Sequence, residues 1–119
     1  MRKANRKTDR DALQQFCDAV DTRPVLLKPD EYNDWRLSGT HGHVYATPEA
    51  GAFYIYVAFR TSMGWTAAKD LLAFCTISQD GDDEGILRLE RLPHGSREAK
   101  AIRQVVGLPK CSPNQTEAI

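Results

Sequence analysis

The segment Ala52 to Phe59, Ala-Phe-Tyr-Ile-Tyr-Val-Ala-Phe, is the longest apolar run in the chain, at eight residues. A membrane-spanning helix needs ~20 apolar residues, so this run is too short to cross a bilayer. Aromatic and β-branched side chains favour extended backbone. In an extended chain the run is apolar on both alternating faces, a pattern typical of a central strand with both faces covered. The run therefore predicts an interior strand of a β-sheet.

Three segments have the spacing of amphipathic helices. The first covers residues 9 to 21, where Thr8 can cap the helix and apolar side chains recur at i, i+3, i+4 and i+7; these are Leu13, Phe16, Cys17 and Val20. The second covers residues 63 to 72 and is capped by Ser62. The third is capped by Ser96 and ends at Gly107, where a left-handed residue is expected.

Other segments alternate between apolar and polar residues and predict further strands. They lie around Trp35 and Leu37 and at residues 43–47, 74–79 and 86–92, the last two forming a hairpin. Residues 24 to 33 are less clear, and Pro29 could open a short turn of helix there.

The order of these segments predicts an α+β fold. We expect a single domain with a mostly antiparallel sheet of about five strands and about three helices packed on one face. A chain of 119 residues is near the commonest domain size. Within it we expect a basic N-terminal arm at residues 1–8, the α+β domain at residues 9–108 and a flexible C-terminal tail at residues 109–119.

The charged residues balance in number but cluster in position. Sixteen basic and sixteen acidic residues argue against a protein whose whole surface coats nucleic acid or anionic lipid. One candidate contact surface is an acidic turn formed by Asp80, Asp82, Asp83 and Glu84. The other is a basic surface in which Arg88 could join residues of the N-terminal arm and of the last helix, namely Arg2, Lys3, Arg6, Lys7, Arg97, Lys100 and Arg103.

Two groups of residues have part of a metal-binding pattern. The acidic turn imitates the first half of an EF-hand calcium loop, but Arg91 occupies the position of the bidentate glutamate and the flanking segments are strands. His41 and His43 have the i, i+2 spacing that places two imidazoles on one face of a strand, yet no further ligand follows at a metal-site spacing. Turn and solvation roles account for both groups, so we expect no bound metal and no other cofactor.

The sequence has none of the short motifs typical of nucleophilic, nucleotide-dependent or zinc-dependent catalysis. Its three cysteines, Cys17, Cys75 and Cys111, have no CxxC spacing and are expected to be free thiols, the first two in the core. The basic N-terminus leads into an amphipathic segment rather than the apolar region of a secretory signal. These features favour a soluble, cytoplasmic, non-enzymatic protein without a membrane partner.

A small neutral domain with one basic side and one acidic turn suits charge-assisted docking. We therefore expect a binding or regulatory protein, an adaptor or inhibitor of the kind carried by bacteria and mobile elements, that contacts another protein. The alternative is a nucleic-acid-binding protein that uses the N-terminal arm and the last helix, with sheet aromatics as stacking partners for single strands, namely Trp35, Tyr45, Tyr54 or Tyr56. A metal-binding protein or enzyme around His41 and His43 is the least favoured alternative. The pattern leaves the oligomeric state open.

Overall fold

The computed structural model describes residues 6–23, 26–32, 34–47 and 51–111, with only the backbone for residues 6–8. The helices in these ranges are α1 (Arg6–Ala19), α2 (Ser62–Leu71) and α3 (Gly95–Val106). None of these helices is long and apolar enough to cross a membrane. The strands are β1 (Leu27–Pro29), β2 (Trp35–Ser38), β3 (Gly42–Ala46), β4 (Phe53–Ala58), β5 (Thr76–Asp80) and β6 (Glu84–Leu89).

One sheet contains the six described strands in the order β1-β2-β3-β4-β6-β5, and all neighbours are antiparallel. β4 lies between β3 and β6, which confirms the interior position predicted from its apolar sequence. The α+β class with three helices and an antiparallel sheet is also confirmed, although the sheet has six strands rather than about five.

The additional strand is β1, which lies in the stretch that the sequence left unclear. Leu27 pairs with Leu37 and Pro29 pairs with Trp35, so these residues form an edge strand rather than a turn of helix. Proline is tolerated at an edge because one side of such a strand needs no backbone N–H for the ladder. Leu27 is 8% exposed and contributes to the core.

The strand register aligns apolar side chains from five neighbouring strands in one row. This core row consists of Leu27, Leu37, Val44, Ile55 and Leu87. All of its members are buried, and they join one cluster with the apolar sides of the helices. α1 packs on β1, β2 and β3, α3 packs on β4, and α2 packs on β6. The three helices therefore cover a single face of the sheet, as predicted.

Trp65 attaches α2 to the hairpin formed by β5 and β6. Its side chain is 1% exposed, and its ring lies against the backbone of Gly85, where a Cβ atom would overlap the ring. The indole Nε1 donates a hydrogen bond to Asp80 Oδ1 at 2.7 Å. Glycine thus allows the close approach of the ring, and Asp80 satisfies its one polar atom.

The helix starts differ from those predicted by sequence. α1 begins at Arg6, three residues before the predicted start, so Thr8 lies inside the helix rather than capping it. Ser62 and Ser96, which were expected to be caps, lie in the first turns of α2 and α3. The residue that precedes each of these two helices makes no side-chain capping hydrogen bond.

Hydrogen bonds stabilise both ends of α3. At its start, Glu98 accepts the backbone N–H of His94 at 2.8 Å and two bonds from the Arg91 guanidinium at 2.8 and 3.0 Å. At its end, Gly107 has a φ of 84°, which confirms the predicted left-handed conformation. The Gly107 N–H donates to the carbonyl of Arg103 at 2.8 Å.

The chain beyond α3 returns to the end of α1. Thr22 Oγ1 donates to the carbonyl of Pro109 at 2.6 Å, and the Cys111 N–H donates to the carbonyl of Asp21 at 2.6 Å. These bonds hold the first three residues of the predicted tail. Residues 1–5 of the predicted arm and residues 112–119 of the predicted tail lie outside the described residues.

Substitution of Val57 by Asp tests the interior position of β4. Val57 is 0% exposed, so the variant would bury a carboxylate among apolar side chains. The cost of several kcal/mol is comparable with the ~5–15 kcal/mol total stability of a domain. We expect the variant to lose its cooperative thermal unfolding transition.

Thr76→Asp, on the exposed edge strand β5, is the control for this substitution. It should change the free energy of unfolding by less than ~0.5 kcal/mol, because surface substitutions rarely do more. A Val57→Asp protein that melts within a few degrees of the parent would contradict the interior assignment.

Candidate binding surface on the open face of the sheet

No described helix covers the second face of the sheet, and two cross-strand rows of side chains lie on it. The first, which we call the tyrosine row, has one residue from each strand: Lys28, Arg36, Tyr45, Tyr54, Arg88 and Thr76. Arg36 and Tyr45 are placed in the same row because each adjoins a member of the pair Leu37 and Val44. The second row consists of Ser38, His43, Tyr56, Ile86 and Gln79. Both rows follow from the alternation of side chains along each strand, because the residues between them belong to the core side.

Four aromatic rings meet at the centre of this face and form what we call the aromatic platform: His43, Tyr45, Tyr54 and Tyr56. The His43 ring centroid lies 5.7 Å from that of Tyr45 and 5.1 Å from that of Tyr56. The rings of Tyr45 and Tyr54 are 5.5 Å apart. All four side chains are only partly buried. The platform is therefore a continuous aromatic surface that solvent reaches, and it is separate from the core.

Burial, neighbouring charges and a hydrogen bond shift the pKa values of three of these rings in the direction that favours the uncharged form. Burial lowers the pKa of His43, and the positive charge of Arg36 lowers it further. Burial raises the pKa of Tyr45, and the hydrogen bond to Glu84 raises the pKa of Tyr56. A histidine whose pKa lies below the usual ~6.5 is neutral at pH 7. The platform thus presents neutral π surfaces.

Two arginines flank the tyrosines of the tyrosine row. Arg36 Nη2 lies 3.1 Å from Asp30 Oδ2, and Arg88 Nε lies 3.0 Å from Glu90 Oε2. Arg88 Nη1 also donates to the hydroxyl of Tyr54 at 3.0 Å, and its guanidinium carbon is 5.4 Å from the Tyr54 ring centroid. About 14 Å, three strand spacings, separates the strands that carry the two arginines. Both guanidinium groups are thus held beside the platform.

A recess adjoins one end of the platform. Tyr56 donates its hydroxyl hydrogen to Glu84 Oε1 at 2.8 Å, and the recess beside this pair has a volume of about 290 Å³. Asp80 and Glu84 are among the residues that line it, and the carboxylate of Glu84 is the one that bonds Tyr56 on the open face. Carboxylates repel phosphate and accept hydrogen bonds from amino groups, such as those on base edges. The recess is therefore suited to hydrogen-bond donors.

The four acids of the predicted acidic turn do not form one patch. Asp80 belongs to β5 and bonds Trp65 on the helix side, whereas Glu84 belongs to β6 and bonds Tyr56 on the open side. Lys69 of α2 also lies 3.0 Å from Asp80 Oδ1. The acids that are exposed in the turn and make no side-chain hydrogen bond within the described ranges are Asp82 and Asp83.

The basic residues of α3 also do not share one surface. Arg103 is partly buried, and its Nη1 donates to the carbonyl of Val20 at 2.7 Å, at the end of α1. Arg97 and Lys100 are exposed on α3. Arg88 lies on the open face, across the sheet from α3, so it does not extend the surface of that helix.

The described backbone of the N-terminal arm lies at the start of α1, far from the end of that helix. Arg2 and Lys3 lie outside the described residues, and Arg6 and Lys7 form the first turn of α1, without described side chains. α1 has 14 residues. About 20 Å therefore separates its start from its end, where Arg103 is bound.

The predicted histidine and cysteine sites do not assemble into a reactive centre within the described residues. His41 precedes β3, and its ring lies 5.6 Å from that of Phe59, whereas His43 belongs to the platform. No group of three or more His, Cys, Asp or Glu residues in these ranges is placed to hold a metal ion. Burial raises the pKa of Cys17 and of Cys75 to about 12, which keeps both thiols protonated and weakly nucleophilic.

Of the four aromatic residues that the sequence analysis named, three belong to the platform. The exception is Trp35, which lies on the helix side with the Arg10 guanidinium carbon 5.5 Å from its ring centroid. His43 and Arg36 were not associated with the platform by sequence. The signal that could have found them is the i, i+2 spacing of His43 from Tyr45, together with the pairing of β2 with β3.

The open face therefore combines neutral rings, held arginines and a polar recess, which is the chemistry of a binding surface. In comparisons with known proteins, no family model, no curated protein and no solved structure matches the chain.

Separate substitutions of Asp80 and of Asp82 compare the stability contribution of an acid that bonds Trp65 with that of an acid exposed to solvent. Asp80→Ala removes the acceptor of the Trp65 indole, whose ring is buried, and we expect the free energy of unfolding to fall measurably. Asp82→Ala is the matched control and should change it by less than ~0.5 kcal/mol. Urea denaturation measures both values. Equal effects would mean that the bond from Trp65 contributes nothing to stability.

Proposed function

We propose that this protein is a non-enzymatic binding protein that holds single-stranded nucleic acid on the aromatic platform and the tyrosine row. The observation that carries the proposal is the order Arg36, Tyr45, Tyr54, Arg88 across four neighbouring strands, with two rings between two guanidinium groups. Unpaired bases stack on aromatic rings and on arginine planes, and sheet faces are a common way to present both.

Stacking on the platform would supply a substantial part of the binding free energy. Each base stacked on an aromatic side chain contributes ~1–3 kcal/mol. Two stacked bases would therefore contribute roughly 2–6 kcal/mol, compared with the ~8 kcal/mol of a micromolar complex. The remainder would come from phosphate contacts and from hydrogen bonds to base edges.

The charge of the open face favours a mode in which phosphate contacts are few. Arg36 and Arg88 already lie against Asp30 and Glu90, which offset part of their charge. Lys28 is the third basic residue of the tyrosine row. The net charge of the whole chain is zero, so any positive surface that contacts phosphate is a local one.

Charge-assisted docking to another protein, the first expectation from the sequence, is the second candidate function. Two sets of like-charged residues favour it, because their side chains are exposed and make no ion pair within the described ranges. They are Asp82 and Asp83 in one turn, and Arg97 and Lys100 on α3. Exposed charges of this kind steer association and select partners.

Tyrosine substitutions test the nucleic-acid proposal. Tyr45→Leu and Tyr54→Leu keep apolar contact with their neighbours but remove a stacking ring. Each should weaken the binding of fluorescent single-stranded DNA or RNA of about 10 nucleotides by ~5- to 150-fold, the equivalent of one stacked base. Tyr32→Leu is the matched control, because Tyr32 is 75% exposed outside the platform, and its affinity should equal that of the parent. Fluorescence anisotropy at about 50 mM salt provides the measurement.

Thermal melts of the three variants check that each is folded before affinities are compared. No anisotropy change with any homopolymer at this salt concentration would exclude the nucleic-acid proposal. Binding that both platform variants retain in full would place the strand on another part of the protein.

The salt dependence of binding separates the platform from the basic surface predicted by sequence. For single strands, log Kobs falls with log salt with a slope of about −0.7 per neutralised phosphate. The three basic residues of the tyrosine row predict a slope no steeper than about −2, and the seven residues of the predicted basic surface would give about −5. Lys28→Gln should make the slope shallower by about 0.7, whereas Lys110→Gln, away from the row, should not. A slope near −5 would favour the N-terminal arm and α3.

A further inference from the structure

A groove of about 570 Å³ lies between α2 and α3, on the side of the sheet away from the platform. Its floor is apolar and includes Leu71, Phe74 and Ala101. Leu71 is 41% exposed, so the floor keeps apolar surface in contact with solvent. The groove is therefore large enough, and apolar enough, to accept a side chain from a partner.

The wall that α3 contributes to this groove is basic. Arg97, Lys100 and Ala101 line it at i, i+3 and i+4, which places them on one side of the helix. Arg97 and Lys100 are exposed and make no ion pair within the described part of the chain. Arg103, the third base of the predicted surface, is bound to the carbonyl of Val20 and does not line the groove.

The acids around the groove do not cancel this positive charge. Glu98 is held by two bonds to Arg91, at 2.8 and 3.0 Å, and these bonds are the main reason that its pKa is lowered to about 2. Its negative charge is thus matched by a base outside the groove. Asp70 is the other acid of the lining, against the two exposed bases Arg97 and Lys100.

We infer that the groove is a docking site for an acidic segment of another protein, which inserts an apolar side chain between α2 and α3. Charge complementarity identifies the partner, because two exposed bases beside an apolar floor favour carboxylates that flank an apolar residue. The Cβ atoms of helix residues three apart are ~5–6 Å from each other, so the partner carries two acids within about one helical turn. Its apolar side chain packs on Leu71 and Phe74 as the anchor of the contact.

This docking site rests on the second candidate function, charge-assisted docking to another protein, and is independent of the proposed nucleic-acid function. The groove lies on the helix side, whereas the aromatic platform lies on the opposite face of the sheet. A segment bound in the groove leaves the platform free, so a single-stranded oligonucleotide does not compete with it. Failure of either proposal leaves the other intact.

Selection from a displayed library of short random peptides on the folded parent protein tests the inference. We expect the enriched peptides to share two acids, within about one helical turn of each other, beside a large apolar residue. Anisotropy with the enriched peptides should show at least about tenfold weaker binding by the double variant Arg97→Glu/Lys100→Glu. Leu71→Ser should weaken binding separately, because it removes apolar surface from the floor. Arg60→Glu, an exposed base in the loop before α2, is the matched control and should bind as the parent does.

Circular dichroism and thermal melts confirm that the variants are folded. Several results would overturn the inference: no enriched peptide, enriched peptides that are neutral or basic, or acidic peptides that the double variant binds as tightly as the parent. Competition by a single-stranded oligonucleotide would also overturn it, because it would place the peptides on the platform.

Discussion

The strand register of the sheet is the constraint on which both faces depend. Side chains alternate along a strand, so the pairing of Leu37 with Val44 and of Val44 with Ile55 also determines what lies on the other side. That pairing places Tyr45 beside Tyr54. A slip of one residue would expose the core row, so burial on the helix side opposes it. The geometry of the aromatic platform is therefore stabilised by residues that no ligand on the platform would touch.

The same alternation explains why charges that are close in sequence are separated in space. Asp80 and Glu84 are four residues apart, yet one bonds Trp65 beneath α2 and the other bonds Tyr56 on the open face. Arg103 is three residues from Lys100 on α3, but its guanidinium is bound to the end of α1. Charged residues that cluster in a sequence therefore form one surface patch only when the backbone between them keeps their side chains on the same side of the fold.

Much of the fold could be predicted from periodicity, because each regular element buries one of its faces. The β4 run and the glycine after α3 were predicted correctly since their signals are local. β1 was missed because three residues that include Pro29 give no alternating pattern, and its existence depends on pairing with β2. Trp35 was named as a stacking partner together with the tyrosines, although its i, i+2 relation to the buried Leu37 places it on the helix side. The platform required the order of the strands, which no local pattern contains.

The distribution of acids suggests how the two proposed surfaces would avoid each other's ligands. Glu84 and Glu90 lie beside the platform, where they would repel acidic peptides and phosphates alike, but only a nucleic acid would offset that repulsion by stacking its bases on the rings. The groove lacks paired aromatic rings beside its bases, so a single strand bound there would gain little from stacking. Selectivity between the two anionic ligands would then depend on the uncharged surface beside the bases. This surface is a set of neighbouring aromatic rings on one side of the sheet and an apolar floor with a single aromatic ring, Phe74, on the other. A chain of zero net charge can support both, because each surface needs only two or three bases in the right place.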